Sequence, residues 1–101
     1  MSLNKVFLIG HVGQKPTITL LLGGSKVAKF SLATGESWKD PQTGQQQDRT
    51  EWHSLVCFGP RATVFEKYVD KGSRLHIEGA IRNRKYLQDG VTKYTSEIGV
   101  R

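Results

Sequence analysis

Short runs of apolar and β-branched residues alternate with turn-forming Gly, Pro and Asp positions along most of the chain, and this pattern predicts strands. Leu3 to Val12 is the first, with Gly10 inside it as an expected bulge or bend. Thr17 to Leu22 follows Lys15-Pro16, and Gly23-Gly24 then turns the chain back. Val27 to Thr34 alternates: Val27, Lys29, Ser31 and Ala33 face one way, Ala28, Phe30, Leu32 and Thr34 the other. Lys39 to Arg49 is polar around Asp40-Pro41-Gln42-Thr43-Gly44, which predicts a long, mobile hairpin loop. Thr50 to Phe58 is the clearest strand. Pro60 opens the one predicted helix, with Ala62, Phe65, Tyr68 and Val69 at helical spacing, Lys71 in its last turn and Gly72 just past its end. Arg74 to Tyr86, a turn at Gln88-Asp89-Gly90 and a last strand from Lys93 to Val100 complete the chain.

The order β-β-β-α-β-β, all-β with one short helix between main strands 3 and 4, predicts a five-stranded OB-fold Greek-key barrel. A length of 101 residues leaves room for one domain, residues 1–101, with a small core. No internal repeat or low-complexity segment interrupts it, although Gln45-Gln46-Gln47 is locally biased.

Charge narrows the field of partners. Fifteen Lys and Arg against nine Asp and Glu give a net +6, a balance suited to a polyanion whose phosphates release counterions on binding. Cys57 is the only cysteine, so no intramolecular disulfide forms and no oxidising compartment is needed. Gly10 and His11 break the apolar run Val6 to Ile9, which argues against a signal peptide. No stretch approaches the roughly 18 apolar residues of a membrane span. The expectation is a cytoplasmic protein with no membrane association.

Catalytic signatures are missing. His11, His53 and His76 are far apart, there is no Cys-x-x-Cys, and no metal site is predicted. Neither a phosphate-binding glycine loop nor a nucleophile elbow occurs. Gly10-His11-Val12-Gly13 has the form G-x-x-G, but its place after a strand reads as a bend. The expectation is a protein that is not an enzyme and needs no cofactor.

Aromatics interleaved with cations are the stronger signal. Single-strand binding needs flat side chains for base stacking and a positive groove along the backbone. In Thr50 to Phe58, a period of two puts Trp52, Ser54, Val56 and Phe58 on one face and His53, Leu55 and Cys57 on the other. Trp52 and Phe58 then stand about 20 Å apart at about 3.3 Å per residue, as separate platforms or as ordinary core aromatics. Arg82, Arg84 and Tyr86 share a face in Arg82-Asn83-Arg84-Lys85-Tyr86. Trp38 lies in a polar, turn-rich context where local burial is hard, so it faces either an interface or a ligand.

Phe30-Ser31-Leu32-Ala33-Thr34, Glu36-Ser37-Trp38-Lys39-Asp40, Thr50-Glu51-Trp52-His53 and Val56-Cys57-Phe58-Gly59 together resemble the central block of the bacterial single-stranded DNA-binding proteins. Asn4-Lys5-Val6 with Gly10 and Gly13, Lys71-Gly72-Ser73, Ile77-Glu78-Gly79 and Arg82-Asn83-Arg84-Lys85 extend the resemblance over nearly the whole chain. It implies an OB fold, usually a homotetramer wrapped by DNA, with a dimer as the other assembly. It also implies base stacking on Trp38, Trp52, Phe58 and Tyr86, with Lys5, Lys71, Arg82, Arg84 and Lys85 at basic positions near the DNA path.

Some positions depart from that pattern. Tyr86 stands where the family commonly has Trp, Pro60 where Lys is frequent (with Arg61 beside it), and His11 and Lys15 where Asn and Asp are usual. His76 replaces a frequent Tyr near the expected subunit contacts. Family members usually continue into a flexible linker with an acidic tip that recruits replication and repair proteins, whereas Arg101 directly follows the last strand. The function implied is sequence-tolerant binding and protection of single-stranded DNA in replication, recombination and repair. A primosome-type dimeric OB protein that restarts replication is the alternative, and a protein-interaction module is the reading from a different class.

Overall fold

Alternation along the strands decides what the barrel encloses. A computed structural model describes residues 1–101 and contains β1 (Val6–Val12), β2 (Thr17–Leu20), β3 (Lys26–Lys39), β4 (Gln46–Phe58), α1 (Pro60–Tyr68), β5 (Arg74–Gln88) and β6 (Val91–Val100). Ala28, Phe30 and Leu32 of β3, Leu55 and Cys57 of β4, Ile77 of β5 and Ile98 of β6 point inward, and Val12 closes one end. Ala62, Phe65 and Val69 plug the barrel from the helix side, and the Phe65 ring stacks on Phe30 at 4.8 Å between centroids. Lys29 lies on the outer face of β3 and is exposed, as its place in the alternation requires.

The strand order is β1-β5-β6-β4-β3, and a second pairing of β1 with β3 closes the ring. All contacts are antiparallel except β4 with β6, where Leu55 pairs Ile98 and Val56 pairs Gly99. This is the five-stranded OB barrel. The short β2 adds to the free edge of β3 outside the ring, through Thr17–Lys29 to Leu20–Lys26. Counted on the barrel strands alone, the helix falls between the third and fourth, as the sequence predicts. β1 stays paired with β5 through His11–Arg74 and meets β3 at His11 and Val12, and at Gly10, just before that junction, a Cβ would stand 2.2 Å from the Ala33 carbonyl oxygen.

Two predicted elements differ. Lys39 to Arg49 is not a long loop, because β3 and β4 stay paired from Val27–Phe58 out to Lys39–Gln46. That leaves only Asp40 to Gln45 as a turn. Backbone hydrogen bonds hold this polar extension without any apolar face; Ser37 Oγ donates to Asp48 Oδ1 at 2.5 Å across it. Within the turn, Asp40 Oδ1 accepts from the Gln42 amide and the Asp40 carbonyl from Gly44. The helix also ends earlier than Lys71. Val69 is already extended, which turns its side chain into the core, and Gly72 belongs to the next turn, where its amide donates to the Val12 carbonyl.

Candidate nucleic-acid interface

Strands β3 and β4 share one outer face. On β4 Trp52, Ser54, Val56 and Phe58 lie on the side away from the core cluster, and on β3 Val27, Lys29, Ser31 and Ala33 do so, Val27 and Val56 being themselves buried. Beside them the hairpin of β5 and β6 rises as a two-stranded arm, with its reversal at Asp89-Gly90 where both residues have positive φ. That pair suits the left-handed turn geometry that matches strand twist. Arg82, Arg84 and Tyr86 face outward on the arm, opposite Glu97, Thr95 and Lys93 of β6.

Between the arm and the β1–β2 connection runs a groove. Gln14, Lys15, Thr17, Lys29, Ser54 and Arg84 line one length of it. A second length shares Lys29, Arg84 and Glu97 and reaches Val56, Phe58 and Arg82. The floor is thus strand surface, and Lys15, Lys29, Arg82 and Arg84 outnumber the one carboxylate, Glu97.

Of the two aromatics on this face, Trp52 lies mid-way along β4 and Phe58 ends it. Trp52 is 61% exposed and Phe58 53% exposed, so neither is a core aromatic. The Trp52 indole lies against Gly13: a Cβ there would be 2.6 Å from Cζ3 and 3.0 Å from Ser31 Oγ. One side of the indole is therefore supported by backbone. Phe58 carries the Arg82 guanidinium, with Cζ 5.8 Å from the ring centroid, inside the range of a cation–π contact.

The geometry separates the remaining predicted residues. Tyr86 stays on the Arg82–Arg84 face, further out on the arm. Lys85 takes the opposite face, where its ammonium lies 5.8 Å from the Tyr94 ring centroid. Trp38 pairs with Gln47 and, by alternation, shares the side of Thr34 and Glu36, opposite that of Trp52 and Ala33. Lys5 is bound to Glu78 at 2.7 Å, and this hydrogen bond together with the ammonium's charge holds the Glu78 carboxyl below the usual carboxylate range. Lys71 sits in the turn whose Gly72 is tied to Val12, near Gly13 but outside the groove lining. Cys57 is buried, and burial pushes its thiol pKa up despite the opposing charge of Arg61. No group of three His, Cys, Asp or Glu side chains is placed to hold a metal.

A positive groove with Phe58 in its lining, and Trp52 exposed on the same face of β4 beside it, is an arrangement suited to single-strand binding. The model of the single-strand binding protein family matches residues 3–101. The chain belongs to that family. A solved Plasmodium falciparum SSB in complex with ssDNA is 41% identical at a TM-score of 0.87, covering 98% of this chain and 87% of that one. A deletion mutant of the single-stranded DNA binding protein from Thermus aquaticus is 26% identical at a TM-score of 0.82, over 97% of this chain and 47% of that one.

Within this SSB-family barrel, sequence reasoning missed Lys29, Ser31 and Ser54 as groove residues. Lys29 had a detectable signal, being the one cation on the outward side of an otherwise small or apolar strand face. Gly13 and Gly99, which make room for Trp52 and Arg82, had none, because their role depends on which strands cross beside them. No helix is long and apolar enough to cross a membrane.

Proposed function

We propose that this SSB-family protein binds and protects single-stranded DNA through the groove between the β5–β6 arm and the β1–β2 connection, without catalysis. The observation that carries the reading is the joint placement of Trp52 and Phe58, both more than half exposed, with Lys29, Arg82 and Arg84 on one outer face. Bases stack on the two rings while the cations follow the phosphates, so affinity is tolerant of sequence. The similar P. falciparum protein is seen with single-stranded DNA, which supports the same ligand here.

Tyr86 extends the path along the arm, and Lys71 flanks the Trp52 end. Trp38 meets a base only if the strand turns round the edge of the β3–β4 hairpin, as a wrapped strand does. Lys85 and Lys5 act at the margins of such a wrap. A homotetramer in the cytoplasm, acting in replication, recombination and repair, is the biological form that fits. Its support is the edge of β1 from Val6 to Gly10, which has a partner only on the β5 side and carries exposed Phe7 and Ile9. A primosome-type dimer is not favoured, since the matches are to single-stranded DNA-binding proteins.

Titrating poly(dT) into the protein tests the reading. Tryptophan fluorescence should fall on binding, and log affinity should decline linearly with log salt at about −0.7 per phosphate contact. Binding without quenching, or an affinity indifferent to salt, overturns it. Light scattering at micromolar concentration should give four subunits; a monomer would remove the wrapped arrangement.

A further inference from the structure

We infer that Gly99 is a positioning residue for DNA binding: by having no side chain, it gives Arg82 a track across β6 to the face of Phe58, which joins a cation and a stacking ring into one nucleotide-sized unit. The inference deepens the proposed reading of the groove and rests on it.

Arg82 belongs to β5, where it pairs with Glu97, while Phe58 ends β4 on the far side of β6. For the guanidinium to reach Phe58, the side chain must pass over β6. It passes over Gly99, which pairs Ala80 on one side and Val56 on the other. A Cβ built at Gly99 would lie 2.7 Å from Arg82 Cδ, 3.5 Å from Cγ and 3.6 Å from Nη1, and these three are its nearest atoms. Any side chain at position 99 therefore occupies the space now taken by the Arg82 stem.

The other buried glycines of these strands behave differently. A Cβ at Gly79 would stand 2.2 Å from the Gly99 carbonyl oxygen, and one at Gly10 would stand 2.2 Å from that of Ala33. Those two are required by backbone crossing, so replacing them disturbs the barrel. Gly99 has no backbone atom among its nearest neighbours and lacks a positive φ. A β-branched residue suits its extended conformation. What Gly99 protects is one side chain.

That side chain's placement has a consequence for binding. A guanidinium held over a ring is ordered before DNA arrives, so less rotamer entropy is lost when it meets a phosphate. A base stacked beside Phe58 places its own phosphate within reach of Arg82. Displacing Arg82 removes a phosphate contact and leaves Phe58 without its cation.

The test is a double-mutant cycle on oligo(dT) with Gly99→Val and Arg82→Ala. Gly99→Val should weaken binding by about threefold to tenfold and flatten the salt slope by about 0.7, one single-strand contact. Thermal unfolding should show the fold retained. In the Arg82→Ala background, Gly99→Val should change neither affinity nor slope. Without DNA, the Arg82 side-chain proton resonances should be ring-current shifted in the parent and lose that shift in Gly99→Val. Parent-like binding and resonances in Gly99→Val, or equal effects of that change with and without Arg82, overturn the inference. If Arg82→Ala itself binds like the parent, it is the reading of the groove at this position that fails. Should Gly99→Val prove unfolded, Gly99→Ala, whose single methyl still falls on Arg82 Cδ, takes its place with the same outcomes.

Discussion

Removing the Trp52 ring separates a DNA-stacking platform from a structural aromatic. Trp52 is 61% exposed, so about two fifths of it is covered, and Gly13 lies against its ring. For a tryptophan that buries up to about 250 Å², that is about 100 Å². At about 25 cal/mol per Å² this corresponds to roughly 2.5 kcal/mol of stability, and less once residual burial in the unfolded chain is allowed for. Trp52→Ala should therefore lower the melting temperature by about 10 °C, at about 4–8 °C per kcal/mol for a domain of this size. Its effect on oligo(dT) binding should be about 1–3 kcal/mol for one base stack, or roughly fivefold to 150-fold in Kd. Isothermal titration well below the melting transition measures this without interference from unfolding. Trp52→Phe, which keeps a flat ring over Gly13, should recover part of the loss. Parent-like affinity in Trp52→Ala would refute the assignment, and so would a loss equal in Trp52→Phe and Trp52→Ala.

Three further outcomes follow from particular contacts. Gly13→Ala places a methyl 2.6 Å from Trp52 Cζ3; it should weaken oligo(dT) binding in the parent and have almost no effect in Trp52→Ala, as read by the same titration. Arg82→Ala with Arg84→Ala should flatten the log–log salt dependence by about 1.4, two contacts at about 0.7 each, whereas Lys85→Ala, on the other face of the arm, should leave the slope of a short oligonucleotide unchanged. Phe65→Ala removes the ring stacked at 4.8 Å on Phe30 and should cost about 3–5 kcal/mol in denaturant unfolding, with affinity retained by the fraction that stays folded.

The barrel is legible from the sequence because its core strands alternate cleanly. Ala28, Phe30 and Leu32 against Val27, Lys29 and Ser31 already assign an inside and an outside, and Leu55 with Cys57 does the same on β4. The extended part of the β3–β4 hairpin is not legible in this way. From Gly35 to Lys39 and from Gln46 to Thr50 both faces are in solvent, so no hydrophobic period exists and the strands are held by backbone pairing alone. For that reason the context of Trp38 reads as turn-rich, although the residue lies on β3.

The site divides along the same line. Trp52 with Phe58, and Arg82 with Arg84 and Tyr86, fall on common faces because a period of two applies within each strand. Which strand lies beside which is a question of closure. Lys29 and the glycines under Trp52 and Arg82 become meaningful only once β3, β4 and β6 are side by side. Lys5 and Lys85 illustrate the converse: a basic residue at a suitable position is committed here to Glu78 or Tyr94.

Photocrosslinking with an oligo(dT) carrying 5-iodouracil at successive positions, followed by mass spectrometry of the joined peptides, tests the central claim most directly. A halogenated base forms its bond to the aromatic ring on which it is stacked, so the product names the platform. The proposed path predicts crosslinks at Trp52 and Phe58 with the shortest oligonucleotides that bind, and at Tyr86 and Trp38 only as the strand lengthens. Crosslinks confined to Phe7, Tyr68 or Tyr94, all exposed and all off the groove, would contradict it.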